Sequence, residues 1–412
     1  MSTDRTARSF VTYLEAAIDG TILPADRIQT THGGRPLWVR YDLEAVRVAV
    51  DRDAWRARPA DMWRYAELLP LAEPDRRVSL GETATPLLEV PRLAARLGLR
   101  HLSIKDESRL PTGSFKARGM AMAVSMAREL GITRLAAPTA GNAGGALAAY
   151  AARAGLEAYV FMPADTPVVN RYEAALYGAH AYLVDGLIND CGAVVRDGVE
   201  PMGWFDMSTL KEPYRLEGKK TMGLELADQL DWWLPDVILY PTGGGTGLLG
   251  MWKAFTELAA LGWLESPAMP RLIAAQSDGC APIATAFDAG ERFAAPVTDA
   301  HTLASGIRVP VAVGDFMILD AVRESGGAAL TADEDSLLEW MRLANALEGI
   351  ALCPEAAACL GVLEWMVRER LVGPDERVVI FNTGAAQKYV EAISVDLPTL
   401  TPPVDPTTLA AR

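Results

Sequence analysis

From about residue 100 onward, short apolar runs alternate with longer stretches whose apolar positions recur at helical spacing. Leu135 to Pro138, Ala158 to Met162, Ala181 to Val184, Val237 to Tyr240, Leu272 to Gln276 and Val378 to Phe381 read as buried strands. Asn142 to Ala154 and 168–177 read as helices between them, and a glycine cluster after Tyr240 opens another. Apolar strands separated by helical periodicity predict parallel sheets covered on both faces. The predicted class is α/β. Before residue 75 the pattern is mixed. Arg40 to Arg47 reads as a short strand running into a helix start, and 54–67 as an amphipathic helix. There is no internal repeat, and the proline-rich stretch Leu397 to Pro406 reads as an extended surface segment.

At 412 residues the chain is long enough for two substantial cores. No apolar run is long and charge-free enough to span a bilayer, and the opening MSTDRTARSF lacks a signal peptide's apolar centre. The expected location is the cytoplasm, with no membrane partner. A net charge of −14 argues against nucleic-acid binding, which uses basic patches. An anionic substrate must then be held by a local cluster of donors, not by the global field. Cys191, Cys280, Cys353 and Cys359 form no Cys-x-x-Cys pair; the two on one stretch of apparent helix, Cys353 and Cys359, read as small buried hydrophobes, and no metal site is expected.

Four loops carry candidate chemistry. Lys105 to Gly119 contains Gly113-Ser114-Phe115-Lys116, a lysine fixed between a turn and a helix start. Such an amine suits a Schiff base with an aldehyde cofactor, provided that burial helps it shed its proton. A surface lysine at a helix start is the common alternative, although the positive end of the helix dipole disfavours one. Pro138 to Ala146 joins a strand end to a helix start, where ligands gather in open α/β sheets. Its small residues and helix amides can receive a carboxylate, and Asn142 can cap the helix. Pro241 to Leu248 holds Gly243, Gly244, Gly245 and Gly247, whose amides can form an anion nest, with Thr242 and Thr246 as further donors. Tight turns use the same glycines, and the run lacks the nucleotide P-loop pattern. Phe381 to Gly384 ends the last strand and presents Thr383.

In this order, the four runs resemble those of the threonine synthase-like members of the fold-type II pyridoxal-phosphate enzymes. Lys211 to Gly223, Ser305 to Pro310 with Gly314-Asp315, and Glu348 to Ala357 add to the likeness, the last with Pro354 and Glu355 in an unusual order. It runs from about residue 40 to the end of the last strand. The resemblance implies two parallel-sheet α/β domains with pyridoxal 5'-phosphate in the cleft between them. It places a large cofactor domain at 76–116 and 213–396, a small inserted domain at 117–212, and a tail at 397–412. The segment 1–75 would carry a degenerate, metal-free ribbon, with Thr30, Thr31 and His32 where ligands are expected.

By the same resemblance, Lys116 forms the Schiff base and Phe115 packs on the cofactor ring. Asn142 meets the cofactor's 3′-oxygen, Gly243 to Gly247 with Thr246 hold its phosphate, and Thr383 faces the pyridine nitrogen. The substrate is expected against Ser114, Thr139, Ala140, Gly141, Arg118 and Lys388. A homodimer is the family expectation.

The first candidate reaction is the conversion of O-phosphohomoserine and water to threonine and phosphate. A dianion needs charge-assisted donors, and Arg118, Lys105, Lys219, Arg308 and Lys388 are the candidates, each weighed against a plain surface charge. The second is β-elimination or β-replacement on another amino acid, as in serine/threonine dehydratases or cysteine and cysteate synthases. The missing ribbon cysteines favour it, as does Ala385-Ala-Gln-Lys388, where threonine synthases often carry Gly-His-Gly-Leu-Lys. A non-catalytic binding module is the third, and gives no reason to keep an amine at 116.

Overall fold

The computed structural model describes residues 9–393, 397–404 and 406–408. The chain opens with three antiparallel strands, β1 (Val11–Ala16), β2 (Ile22–Leu23) and β3 (Leu37–Tyr41), in the order β2-β1-β3. Leu14, Ala16, Leu37 and Val39 form its small core. His32 and Arg35 close a hairpin through Gly33 and Gly34, both at positive φ. Arg35 then reaches Asp315 of the main body (3.2 Å).

Asp42 caps the helix Leu43–Ala49, as the strand-to-helix pattern at 40–47 predicts. The helix expected over 54–67 is instead two pieces, Arg52–Arg56 and a 3-10 turn at Met62–Leu68. Pro59 has no amide to continue the first piece, and Asp61 caps the second through the Trp63 amide (2.8 Å). The break turns Trp55 inward, where it meets Tyr65 and Trp263 edge-on at 5.0 and 4.8 Å.

The remaining strands are β4 (Leu87–Glu89), β5 (His101–Asp106), β6 (Arg134–Pro138), β7 (Glu157–Pro163), β8 (His180–Val184), β9 (Phe205–Asp206), β10 (Val237–Pro241), β11 (Arg271–Ser277), β12 (Ala328–Ala332) and β13 (Arg377–Asn382). They build a six-stranded sheet, β12-β11-β10-β13-β5-β4, and a four-stranded sheet, β8-β7-β6-β9. Every pairing in these two sheets is parallel except that of β4 with β5. The last strand, β13, inserts between β10 and β5. Strand order reverses there, which is where open α/β sheets bind ligands.

Three helices cross at very short range beside the large sheet. A Cβ on Gly218 would lie 2.1 Å from the carbonyl oxygen of Arg118, and one on Gly250 would lie 2.8 Å from the amide of Lys220. Glycine is required because backbone meets backbone. The first crossing places Arg118, in the helix Lys116–Glu129, against Glu225 in the helix Tyr214–Gln229. Arg118 is fully buried and forks onto Glu107 (2.7 Å) and Glu225 (2.9 Å); Lys105 also pairs with Glu225. Burial pushes Glu225 up, but Arg118 and Lys105 outweigh it and hold its carboxyl down at about 2.

Arg118→Leu would leave Glu107 and Glu225 in the interior without their main cation. We expect a loss of about 3–5 kcal/mol, measured by chemical denaturation, with a smaller loss when Glu225 is changed to Gln in the same chain.

Candidate active site

The predicted loops hang from the carboxyl ends of parallel strands. β5 leads into the run that ends at Lys116, β13 into Thr383, and β10, which lies beside β13, into the glycine loop. β6, in the other sheet, leads into Thr139 to Gly141. Between them lies a cavity of about 380 Å³. Phe115, Lys116, Thr139, Ala140, Gly141, Asn142, Gly243, Gly244, Gly245, Thr246, Gly247 and Thr383 all line it.

The lysine loop is held by sutures to the last loop. The Phe115 amide donates to the Thr383 carbonyl (3.1 Å), and the Ala385 amide to the Gly113 carbonyl (2.9 Å). Thr112 sits at φ 60°, a left-handed conformation for a non-glycine residue. Lys388 donates to the Thr112 carbonyl (2.5 Å) and pairs with Glu173 (2.7 Å).

Among the described residues the Lys116 ammonium has no ion pair; its nitrogen lies 4.4 Å from the centre of the Phe115 ring. Burial, with the Arg215 guanidinium nearby, pushes the amine down to about 7, against a smaller upward pull from Glu355. Lys219 approaches the same ring at 4.5 Å and donates to the Thr246 hydroxyl (2.7 Å). Burial, Lys116 and Arg215 together lower it well below the ordinary lysine range.

Among the described residues the amides of Gly243, Gly244, Gly245, Thr246 and Gly247 meet no protein acceptor. They precede or open the helix Thr246–Leu261, so the dipole adds to the same attraction for anions. The nest has no room for side chains. A Cβ on Gly247 would fall 2.0 Å from the Tyr240 hydroxyl, and one on Gly244 would fall 2.7 Å from Thr209. Thr242, expected as a donor, turns away to the Tyr240 carbonyl (2.8 Å).

A second set of free amides, Ala140, Asn142 and Ala143, opens the helix Asn142–Ala154. Asn142 is not its cap. Thr139 takes that role, its hydroxyl accepting from the amides of Gly141 and Gly144 (both 3.2 Å). The Asn142 amide group is free to point elsewhere. Its nitrogen donates to the Tyr389 hydroxyl (3.4 Å), and its oxygen is buried without a partner. Tyr389 donates in turn to Glu355 (2.6 Å). Thr383 has the Cys353 thiol 3.7 Å from its hydroxyl.

Three expected substrate contacts lie outside the cavity wall. Arg118 belongs to the buried network with Glu107 and Glu225, and Lys388 to the clamp on Thr112. Ser114 is fully buried, with its hydroxyl unpartnered. Lys105 is likewise spent on Glu225, and Lys219, outside the wall, donates to the Thr246 hydroxyl. Of the proposed cation donors only Arg308 lines the cavity, where it also pairs with Asp165 (2.9 Å). Arg196, Lys211, Glu355 and Tyr389 line it too and were not expected. Two sequence signals touched them: the run Lys211 to Gly223 begins on Lys211, and the order at Pro354-Glu355 is unusual.

An amine at about 7 has a direct signature. Acetylation of Lys116, followed by mass spectrometry across pH, is expected to reach half its maximal rate near pH 7. An exposed lysine would do so near its ordinary value of about 10.4. A midpoint above about 9 contradicts the geometry.

Residues 78–384 match the family model described as pyridoxal-phosphate dependent enzyme. The chain is 33% identical over 366 residues to the threonine synthase of Methanocaldococcus jannaschii, covering 89% of this chain and 90% of that protein. It is 35% identical over 357 residues to the threonine synthase of Methanosarcina acetivorans, covering 86% of each. Among solved structures, maize serine racemase superposes with a TM-score of 0.63 at 22% identity, covering 82% of this chain and 94% of that one. Diaminopropionate ammonia lyase from Escherichia coli, in complex with an aminoacrylate-PLP azomethine reaction intermediate, gives 0.65 at 18% identity, covering 76% and 88%. These likenesses share the fold, and the family match spans the cavity and all four of its loops: the chain belongs to the pyridoxal-phosphate dependent enzymes.

Proposed function

We propose that this protein converts O-phosphohomoserine and water to threonine and phosphate, with pyridoxal phosphate carried on Lys116. The observation that carries the proposal is a lysine amine lowered to about 7 in the wall of a cavity floored by unpartnered amides. It occurs in a chain 30–35% identical to threonine synthases over most of its length.

The residues present fit the cofactor. A nest too tight for any Cβ suits a phosphate held by the amides of Gly243 to Gly247. The buried, unpartnered oxygen of Asn142 and the hydroxyl of Thr383 suit the polar edges of the ring, with Phe115 beside it. When bound, this cofactor draws electrons from the Cα of an amino acid joined to it.

The rest falls to the chain's own groups. Lys116, titrating near neutrality, can take the α-proton and return it. The free amides of Ala140, Asn142 and Ala143 can orient the substrate carboxylate. Arg308, Lys211 and Arg196 supply the cations for its phosphoryl group. Arg118 and Lys388 act at one remove, by fixing the helix and the loop that carry Lys116. The two sheets meet across the cavity, and we take the residues around 117–212 as the smaller of two domains. The same reading carries a homodimer acting in the cytoplasm.

Incubation with O-phosphohomoserine should release phosphate and form threonine in equal amounts. Pyruvate or 2-oxobutyrate from serine or threonine, with no phosphate released, would select β-elimination instead. Lys211→Ala and Arg308→Ala are each expected to raise KM for the phosphorylated substrate by about 10–100-fold, for about 1.5–3 kcal/mol of charge-assisted hydrogen bonding. Neither should alter cofactor absorbance. Unchanged KM in both variants removes them from the phosphoryl site.

A further inference from the structure

Glu355 is the sole carboxylate among the residues lining the cavity, and the proposed function has not used it. It sits in the first turn of the helix Pro354–Arg368 and is 3% exposed. One oxygen, Oε1, is fixed by the Gly306 amide (2.8 Å) and the Tyr389 hydroxyl (2.6 Å). The other, Oε2, is buried and among the described residues accepts no hydrogen bond of normal length, with the Cys353 thiol beside the carboxylate. Leaving such an acceptor unsatisfied costs its full desolvation. An acceptor so placed, with its other oxygen pinned, is positioned for a donor that arrives with the substrate.

The proposed reaction supplies such a donor. Threonine differs from O-phosphohomoserine by a hydroxyl at Cβ and a methyl at Cγ. The α-proton is removed and restored. Water supplies the hydroxyl, and its remaining proton leaves with phosphate. What is left is one proton that quits Cβ and one that joins Cγ. A single group can serve both steps. Lys116 holds the α-proton while the β-proton leaves, so a second acceptor is needed beside it. The other titratable groups lining the cavity serve poorly. Arg196 and Arg308 are permanent cations. Burial, joined by the neighbouring Glu355 at Tyr389, raises Tyr389 and Tyr240 well above the ordinary phenol range. Lys211 lies near Asp206 (3.8 Å).

We infer that Glu355 is a second acid–base catalytic residue, taking a proton from the substrate's Cβ on Oε2 and delivering it to Cγ. In the first transfer the Cβ–H bond breaks and an O–H bond forms, and the electron pair released expels phosphate from Cγ with its bonding pair. In the second the O–H bond breaks and a Cγ–H bond forms, using the pair left by the α-proton. This rests on the proposed function and deepens it.

The test uses holoenzyme in deuterium oxide with L-2-amino-4-phosphonobutyrate, whose Cγ–P bond offers no leaving group. Wild type is expected to exchange both α- and β-protons, read by proton NMR. Glu355→Gln keeps an oxygen for Gly306 and Tyr389 but cannot take a proton. It should retain α-exchange within about twofold and lose β-exchange by about 100-fold or more. Glu355→Asp should recover part of the β-exchange. A second readout needs no turnover: in cofactor-free protein, Glu355→Gln should move the midpoint of Lys116 acetylation to lower pH, because a neighbouring negative charge is gone.

Undiminished β-exchange in Glu355→Gln overturns the inference. So does Glu355→Asp performing no better than Glu355→Gln, or an unmoved acetylation midpoint. Wild type exchanging the α-proton alone overturns it while leaving the proposed function standing. Wild type exchanging neither takes down both.

Discussion

A buried amine without a bonded carboxylate is the constraint around which the rest is arranged. Charge in the interior is normally matched, and here most of it is: Arg118 with Glu107 and Glu225, Lys105 with Glu225, Lys388 with Glu173. Around the cavity it is not: among the described residues Lys116, Lys219 and Arg215 have no ion pair, and Lys116 lies against the Phe115 ring with Arg215 nearby. Desolvation and a like charge both favour the neutral amine, which is the nucleophilic form. Two residues further along the same helix, Arg118 pairs with Glu107 and Glu225 inside the fold. Separating the two cations by about half a helical turn lets a single helix start serve stability on one side and chemistry on the other.

That arrangement survives only if the loop before the helix is rigid. Its backbone is bonded to the Thr383 loop, and Lys388 grips the Thr112 carbonyl where the chain adopts a left-handed conformation. Lys388 therefore does by position what the substrate-contact reading had it do by charge. Its partner Glu173 lies on the helix Val168–Leu176, which follows β7 of the other sheet. Val168 meets Glu391, and Asp165 meets Arg308, along the same seam. Three polar contacts thus join the two sheets where the cavity lies between them.

Much of this was legible in the chain because it is local. The strands at 135–138, 158–162, 237–240 and 378–381 are uninterrupted apolar runs, and the four loops follow strand ends by only a few residues. β12, Ala-Ala-Leu-Thr-Ala, was not legible, because small side chains carry little hydrophobic signal. β5 escaped because its buried end is Lys105-Asp106, two charges whose partners include Glu225 and Asn382, more than a hundred positions away. The same distance in sequence hid the fates of Arg118 and Lys388: a basic residue beside a motif looks the same whether its partner is a substrate or Glu225. Asn142 failed as a cap because the helix begins on it, with Gly141 at the cap position and the Thr139 hydroxyl taking the Gly144 amide. Pro59 was visible and should have divided the helix at 54–67.

The choice of anion receptors follows from the same amine. A protein with a net charge of −14 must concentrate its attraction for anions locally, and cations are the obvious means. Each cation added near Lys116 would lower the amine further, past the point where it can hold a proton between steps. Backbone amides avoid this, because they carry only partial charge and are satisfied by the ligand itself. The two helix starts, at Asn142 and Thr246, place such amides on either side of the lysine. The full charges of Arg196, Lys211 and Arg308 line the same cavity but do not figure among the groups that depress Lys116; Arg215 and burial do. Backbone donors at the two helix starts and charged side chains in the cavity wall thus divide the work of holding anions.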